Sequence, residues 1–214
     1  MASERLVIVG GGGFGRELIS WAADCEEAGR LPPLAGIIDD GDDPLAGYDY
    51  STSRLAGIED YRPGDGDLLV MAIGDPAAKR QVAEKLRDRG GRFATLIHPS
   101  AVVSRSARLE EGVVVCPQAL ISADASVGRL VIINALSSVG HDVRVGDYST
   151  LSAHVDLTGF VSLGEAVLVG SGAKVLPKVK VGEGATIGAG ATVYRNVPAG
   201  ATVYTAPAKV MGRK

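Results

Sequence analysis

Aromatic side chains are scarce in this chain of 214 residues. Phe, Trp and Tyr together make up 5% of the sequence, with a single Trp, whereas Gly occurs 29 times. Hydrophobic residues still reach 46%, which is enough for a real core. Few rings and many glycines speak against an aromatic-filled core and indicate tight, repetitive packing of the backbone. The length allows one large domain or two small ones.

Positive net charge, paired cysteines and long apolar runs are also missing. The formal net charge is -3, so we expect no binding to nucleic acid, which needs a basic surface. Cys25 and Cys116 lack the spacing of a metal site and indicate free thiols in a reducing compartment, and we expect no metal. No apolar run approaches a membrane span and the N-terminus shows no signal-peptide pattern. We therefore expect a cytoplasmic protein that does not bind membranes.

A glycine-rich turn follows the first predicted strand. The strand covers residues 6–9, and Gly10, Gly12 and Gly15 then match G-x-G-x-x-G at the start of a predicted helix, residues 14–28. Free N–H groups and the helix dipole at such a turn attract a phosphate. The motif alone is a weak signal, because a tight turn without any ligand gives the same pattern.

Strands and helices alternate up to residue 96. Further strands are predicted at 34–38 and 67–74, with a polar loop between them, and Asp75 is a plausible N-cap for a second helix. This alternation predicts a Rossmann-like α/β domain with a parallel sheet over residues 1–96. Asp39 and Asp40 follow the second strand, where a ribose-binding acid would lie. A second half of a dinucleotide fold is absent, so we do not expect NAD.

A period of six residues begins at Ile97. Every sixth residue from Ile97 to Val193 is aliphatic, seventeen in all, and the residue four places further on is always Ala, Val or Ser. Three short strands of such a repeat form one coil of eighteen residues, and stacked coils cover each other's apolar interior. The repeat predicts a parallel β-helix over residues 97–198, followed by a capping tail over 199–214. The glycines that often follow the aliphatic residue are expected to adopt unusual φ at the turns.

The three histidines differ in their surroundings. His98 lies at the predicted domain junction, and a junction hydrogen bond is its simplest role. His154 is expected on the wall of the β-helix as an ordinary surface or interface group. His141 falls at an outward turn beside Asp142, whose carboxylate would stabilise the imidazolium form. His141 is therefore the candidate general base, although spacing alone also fits a structural residue.

The repeat resembles the hexapeptide-repeat acyltransferases, and this resemblance implies a left-handed β-helix and a homotrimer with acetyl-CoA in grooves between subunits. The whole chain is similar to the sugar-nucleotide N-acetyltransferases and their sialic acid O-acetyltransferase relatives. The matching stretches are "GGGGFGRE", "GIIDD", "AIGD", "LIHPSAVV", "IINALSSVGHDVRVGD", "VGEGATIGAGATV" and "APAK".

The resemblance assigns roles to individual residues. It makes His141 the general base and Asp142 the group that tunes it, with the backbone N–H of Gly159 stabilising the oxyanion. The nucleotide-sugar site it implies comprises Gly12, Gly13, Phe14, Gly15, Asp39, Asp40, Ile73 and Gly74. The acetyl-CoA site it implies comprises Thr150, Gly159, Ser171, Ala189 and Lys209, with Arg213 and Lys214 as further partners for phosphate or as a solvated tail. Many relatives carry His at the positions of Phe14 and Thr150, so contacts there must differ.

The predicted function is transfer of acetyl from acetyl-CoA to the 4-amino group of a nucleotide-linked 4-amino-4,6-dideoxysugar. Similarity to perosamine N-acetyltransferases ranks GDP-perosamine first and a UDP-linked 4-aminosugar second, for surface polysaccharide or glycoprotein assembly. O-acetylation of a sugar hydroxyl, as in the sialic acid type, needs the same base and stays open. A non-enzymatic β-helix scaffold that binds nucleotide sugars is a further alternative, and the His141–Asp142 pair argues against it.

Overall fold

A computed structural model describes residues 3–211, and its first part is an α/β domain. The strands and helices follow in the order β1 Arg5–Val9, α1 Gly13–Glu27, β2 Leu34–Ile38, β3 Arg54–Ala56, β4 Asp67–Met71, α2 Pro76–Asp88 and β5 Arg92–Phe93. The five strands form one parallel sheet, the N-terminal sheet, in the order β3-β2-β1-β4-β5. The predicted domain type is confirmed.

Two details of this domain differ from the prediction. β3 was not predicted as a strand, because it has only three residues and none of them is buried. β4 ends at Met71 rather than at residue 74, and the chain then turns into a loop before α2. The start of α2 is as predicted, since the Asp75 carboxylate accepts a hydrogen bond from the N–H of Ala78 at 2.8 Å and Pro76 occupies the first helical position.

The second part of the chain is a parallel β-helix, as predicted. Its strands, β6–β23, have two residues each and cover Leu96–Ile97, Val102–Val103, Arg108–Leu109, Val114–Val115, Leu120–Ile121, Ser126–Val127, Ile132–Ile133, Ser138–Val139, Arg144–Val145, Thr150–Leu151, Asp156–Leu157, Ser162–Leu163, Leu168–Val169, Lys174–Val175, Lys180–Val181, Thr186–Ile187, Thr192–Val193 and Thr202–Val203. They form a seven-stranded, a six-stranded and a five-stranded sheet.

The register of the sheets follows the sequence period. Ile132 pairs with Thr150, and Thr150 pairs with Leu168, so each coil advances by eighteen residues. The inward aliphatic side chains form one continuous buried core along the axis. The last coil is shorter, because Thr186 pairs with Thr202. The seven-stranded sheet therefore continues beyond residue 198, into the segment predicted as a capping tail.

The turns of the β-helix correct the expectation about glycine. Left-handed φ occurs three residues after the inward aliphatic residue, for example at Asp142 with φ of 58° and at Phe160 with φ of 62°. The glycines directly after the aliphatic residue are needed for close approach instead. A β-carbon on Gly146 would lie 2.4 Å from the carbonyl carbon of Gly164 on the next coil. The absent side chain thus allows adjacent coils to stack.

The α/β domain covers the outer face of the seven-stranded sheet. Leu18, Ala22 and Cys25 of α1 belong to the same buried cluster as Val114 and Ile132 of the β-helix. This packing fixes the glycine-rich turn and the loop after β4 relative to the β-helix.

Candidate active site

The glycine-rich turn has the geometry of an anion site. Gly10 has φ of 103°, and a β-carbon on Gly15 would lie 2.1 Å from the Gly10 carbonyl oxygen, so both positions require glycine. Gly12 and Gly13 are exposed, and a β-carbon on either would meet no atom within 4 Å. Gly12 is the N-cap residue of α1 and has no side chain that could accept hydrogen bonds from the first N–H groups of the helix. The space beside these two glycines is therefore open, so a phosphate can approach the start of the helix, where N–H groups lack partners within the helix.

The two aspartates after β2 both accept hydrogen bonds from backbone N–H groups, and Asp39 binds the glycine-rich turn in this way. Asp39 accepts hydrogen bonds from the N–H groups of Gly11 at 2.7 Å and Gly41 at 2.8 Å, one on each carboxylate oxygen. Asp40 accepts from the N–H of Glu59 at 2.9 Å. The structure thus places Asp39 beside the predicted substrate site, where both of its carboxylate oxygens accept hydrogen bonds from backbone N–H groups.

The loop after β4 completes the predicted substrate region. A β-carbon on Gly10 would lie 3.2 Å from Cγ1 of Ile73, so the loop touches the glycine-rich turn. Gly74 is exposed next to it. Phe14 instead packs its ring edge-to-face on Trp21, with centroids 6.0 Å apart, and is partly buried. The carboxyl ends of two adjacent parallel strands therefore bring Ile73 and Gly74 to the turn, where α/β sheets bind ligands.

His141, Asp142, Gly159 and Phe160 form a cluster that we call the catalytic corner, after the role predicted for His141. It lies where the chain passes from the six-stranded to the five-stranded sheet of the β-helix. Nδ1 of His141 lies 2.9 Å from Oδ2 of Asp142. Because an ionised carboxylate only accepts hydrogen bonds, Nδ1 carries the hydrogen and Nε2 of the neutral ring is left as the basic nitrogen. The His141 side chain is 60% exposed and can reach a substrate.

The next coil supplies the other half of the catalytic corner. A β-carbon on Gly159 would lie 2.5 Å from Nε2 of His141, so the ring occupies the space above this glycine. The Phe160 ring meets the imidazole edge-on, with centroids 5.2 Å apart. Sequence reasoning missed Phe160, although its position one coil after Asp142 could have revealed it. Among the hydrogen bonds of residues 3–211, none uses the N–H of Gly159.

A cavity of about 660 Å³ opens beside the catalytic corner. Asp142 and Phe160 line one side of it, and Arg108, Arg144 and Lys180 project into it from the five-stranded sheet of the β-helix. These three cations outnumber the two carboxylates in the lining, those of Asp124 and Asp142, so the cavity suits a ligand that carries negative charge.

The structure gives Thr150 a different environment from the one predicted. Its side chain is 6% exposed, and its hydroxyl accepts a hydrogen bond from Nζ of Lys79 at 2.7 Å. The same hydroxyl donates to the carbonyl oxygen of Gly74 at 2.7 Å. Thr150 thus joins the two domains, and its side chain could contact CoA only if these bonds were broken.

The other residues predicted at the acetyl-CoA site lie on a separate edge. Ser171 and Ala189 are exposed and one coil apart, and the N–H of Gly190 donates to the Ser171 carbonyl oxygen at 2.9 Å. This edge joins the seven-stranded to the six-stranded sheet, so it is the opposite edge of the six-stranded sheet from the catalytic corner. Lys209 is exposed in the last segment, which has no regular structure. Arg213 and Lys214 lie outside the described residues.

The two remaining histidines have ordinary surroundings. Nε2 of His98 lies 3.0 Å from the carboxylate of Asp24 in α1, a contact across the domain junction, and His154 is exposed at a turn.

Within residues 3–211, no three His, Cys, Asp or Glu side chains cluster as metal ligands. In the same range, no helix has the length and apolar composition of a membrane span.

Both parts of the chain resemble known proteins. The family model of the PglD N-terminal domain matches residues 5–86, and that of the bacterial transferase hexapeptide (six repeats) matches residues 160–195. The structure of a histidine-to-asparagine variant of perosamine N-acetyltransferase from Caulobacter crescentus, in complex with CoA and GDP-perosamine, is 34% identical in sequence. It superposes over 99% of both chains with a TM-score of 0.84. The chain belongs to the hexapeptide-repeat sugar N-acetyltransferases.

Two other members of this family are similar to the chain. The acetyltransferase domain of PglB from Neisseria gonorrhoeae, in complex with acetyl coenzyme A, is 29% identical and superposes over 98% of this chain and 100% of that one, with a TM-score of 0.85. UDP-N-acetylbacillosamine N-acetyltransferase from Bacillus subtilis (strain 168) is 37% identical over an alignment of 117 residues that covers 52% of this chain. The match spans about half of that relative, 51% of its length.

Proposed function

We propose that this protein transfers the acetyl group of acetyl-CoA to the 4-amino group of a nucleotide-linked 4-amino-4,6-dideoxysugar, in the cytoplasm. The observation that carries the proposal is the catalytic corner, where Asp142 contacts the His141 ring and that ring lies against Gly159 of the next coil. Acyl transfer to an amine requires a general base and a hydrogen-bond donor for the oxyanion, and two adjacent coils of the β-helix supply these groups.

The reaction follows from these groups. Nε2 of His141 accepts a proton from the sugar amine as the nitrogen attacks the thioester carbonyl carbon. The carbonyl oxygen becomes negatively charged, and the N–H of Gly159 donates a hydrogen bond to it. Collapse of the tetrahedral intermediate breaks the C–S bond, and the imidazolium returns the proton to the CoA thiolate. The Asp142 carboxylate stabilises the imidazolium while the proton resides there.

GDP-perosamine is the first candidate substrate. Structures of the Caulobacter crescentus relative contain GDP-perosamine, whereas the Bacillus subtilis relative is named for a UDP-linked sugar. The glycine-rich turn and the Ile73–Gly74 loop would bind the diphosphate of either nucleotide sugar. We therefore place GDP-perosamine first and a UDP-linked 4-aminosugar second.

A homotrimer is part of the same proposal. The catalytic corner lies at one edge of the six-stranded sheet, whereas Ser171 and Ala189 lie at the other. A threefold arrangement lets the edge of one subunit face the sheet of its neighbour, so that acetyl-CoA can contact both in a groove.

Mass spectrometry of the products tests the proposed reaction. The protein is incubated with acetyl-CoA and a panel of acceptors that includes GDP-perosamine, a UDP-linked 4-aminosugar and a sialic acid. A mass gain of one acetyl group on a nucleotide aminosugar supports the proposal. Acetylation of the sialic acid alone would establish O-acetylation instead, and no acetylated product from any acceptor would contradict the proposal.

A further inference from the structure

A buried lysine connects the two domains at the predicted substrate loop. Lys79 belongs to α2 and has no exposed surface. Its Nζ donates to the Thr150 hydroxyl at 2.7 Å and to the Ser149 carbonyl oxygen at 3.1 Å, both on the seven-stranded sheet. An apolar side chain of similar length would fill this space without the cost of desolvating an amine. The specific contribution of the amine is therefore its hydrogen bonds, which fix a geometry.

The geometry that they fix is that of the Gly74 loop. The Thr150 hydroxyl donates to the Gly74 carbonyl oxygen at 2.7 Å while it accepts from Lys79. Because the hydroxyl accepts from Nζ of Lys79, its own hydrogen is free to point at the Gly74 carbonyl oxygen. The loop is also anchored at α2, because the N–H of Lys79 donates to the Asp75 carbonyl oxygen at 2.9 Å.

The Gly74 loop in turn lies against the glycine-rich turn. Ile73 is close enough that a β-carbon on Gly10 would lie 3.2 Å from its Cγ1. A continuous path of contacts thus runs from the β-helix through Thr150, Gly74 and Ile73 to the turn. The loop cannot shift relative to the β-helix without loss of buried hydrogen bonds.

We propose that Lys79 and Thr150 are positioning residues that hold the Gly74 loop in register with the β-helix and so place the nucleotide sugar for acetyl transfer. This inference rests on the proposed function. Neither residue touches the reacting atoms. Their effect is exerted on the sugar substrate, because the loop that they hold belongs to the sugar site and not to the catalytic corner.

Steady-state kinetics of isosteric variants test the inference. We expect Thr150→Val, which keeps the shape and removes the hydroxyl, to raise the KM for the nucleotide sugar about tenfold, since a displaced loop weakens binding of the substrate in the ground state and the transition state alike. The KM for acetyl-CoA should stay within about twofold of the wild-type value, as the variant is not in contact with the catalytic corner. Lys79→Met should act in the same direction, and Thr150→Ser, which keeps the hydroxyl, should restore the wild-type KM.

Coupling between the two residues gives a second readout. Because Lys79 acts through Thr150, the double variant should have the same sugar KM as Thr150→Val alone. Arg80→Ala is the matched control: Arg80 bridges the same two domains through Glu165 and lies over the Tyr148 ring, but makes no contact with Gly74 among the hydrogen bonds of residues 3–211. It should lower thermal stability and leave both KM values unchanged.

The outcomes separate this inference from the proposed function. Wild-type protein with no transferase activity on any acceptor would contradict the function itself. An active wild type whose Lys79→Met and Thr150→Val variants are less stable but keep the wild-type sugar KM would overturn the positioning role alone. A rise in the KM for acetyl-CoA with an unchanged sugar KM would also overturn it, and would favour a role of Thr150 at the acetyl-CoA site.

Discussion

The imidazole of His141 lies directly above the α-carbon of Gly159, one coil further along the β-helix. A β-carbon at residue 159 would come within 2.5 Å of Nε2 and 2.6 Å of Cε1. Real β-carbons do not approach other atoms so closely, so a larger residue at 159 would have to displace the ring, and the three nearest atoms all belong to that ring rather than to the backbone. The same stacking brings the basic nitrogen to the residue whose N–H is proposed to bind the oxyanion.

Gly159→Ala should impair catalysis through this contact. The added methyl group displaces the ring from above residue 159, and the 60% exposed side chain can move without disturbing the core. We expect kcat to fall by about tenfold to a hundredfold, since a displacement of about 1 Å has effects of that size. In a His141→Ala background the same change meets no ring and should alter neither kcat nor Tm. An equal loss in both backgrounds would show that the glycine has another role.

His141→Asn and Asp142→Asn test the base and its orientation. Loss of a general base should lower kcat by about 10²–10⁴-fold with little change in substrate binding. Asn at position 142 tolerates the left-handed backbone, with φ of 58°, but its amide can donate to Nδ1 and so leave Nε2 protonated. We expect this variant to lose most of its activity at an unchanged Tm. Near-normal turnover in His141→Asn would make the histidine structural.

Gly13→Val tests the glycine-rich turn. Nothing lies within 4 Å of a β-carbon at this position, so the folded protein should accommodate the side chain, which then fills the space of the phosphate. The KM for the nucleotide sugar should rise strongly, whereas that for acetyl-CoA should not change. Ser20→Val places the same side chain on the exposed face of α1 and serves as the control. An unchanged sugar KM would make the turn merely structural, and micromolar binding of NADH would revive the dehydrogenase interpretation.

The buried Lys79 should make the free energy of unfolding depend on pH. Burial lowers the pKa of Lys79 from 10.5 to about 7, and the Asp75 carboxylate opposes this shift. Between pH 7 and pH 10.5 the unfolded chain binds a proton at Lys79 that the folded protein lacks, so this residue makes the free energy of unfolding rise with pH. Below pH 7 both states are protonated and the cost of burial is constant.

Lys79→Met removes that titration. Chemical unfolding from pH 6 to pH 10 should therefore show a steeper rise of stability in the wild type than in the variant, with the two curves parallel at the acidic end. Arg80→Ala is expected to follow the wild-type slope. Identical slopes in wild type and Lys79→Met would contradict the lowered pKa.

The assembly can be measured by light scattering. We expect a mass of three times 22.0 kDa, because acetyl-CoA is proposed to bind in grooves between subunits. Dilution that dissociates the assembly should abolish transferase activity in parallel. A monomer with full activity at working concentration would contradict the trimer.

Much of the fold could be predicted because its rules are local. The period of six and the restricted residue four places further on predicted the β-helix, since an inward aliphatic residue and a small turn residue are needed in each short strand. Asp75 and Pro76 predicted the start of α2 for the same reason. β3 escaped prediction because its residues derive their strand conformation from pairing with β2 and not from any pattern of their own.

The candidate site was likewise predicted in part, where local rules apply. The sequence by itself determined that His141 lies at an outward turn beside Asp142, and that Gly159 follows one coil later, because a fixed period carries its own register. Only the tertiary structure decided that Thr150 faces the α/β domain and binds Lys79 and Gly74 instead of facing a groove. The physical reason is that packing of one domain on another brings together residues about seventy positions apart, and no periodic pattern in the chain specifies which sheet face is covered.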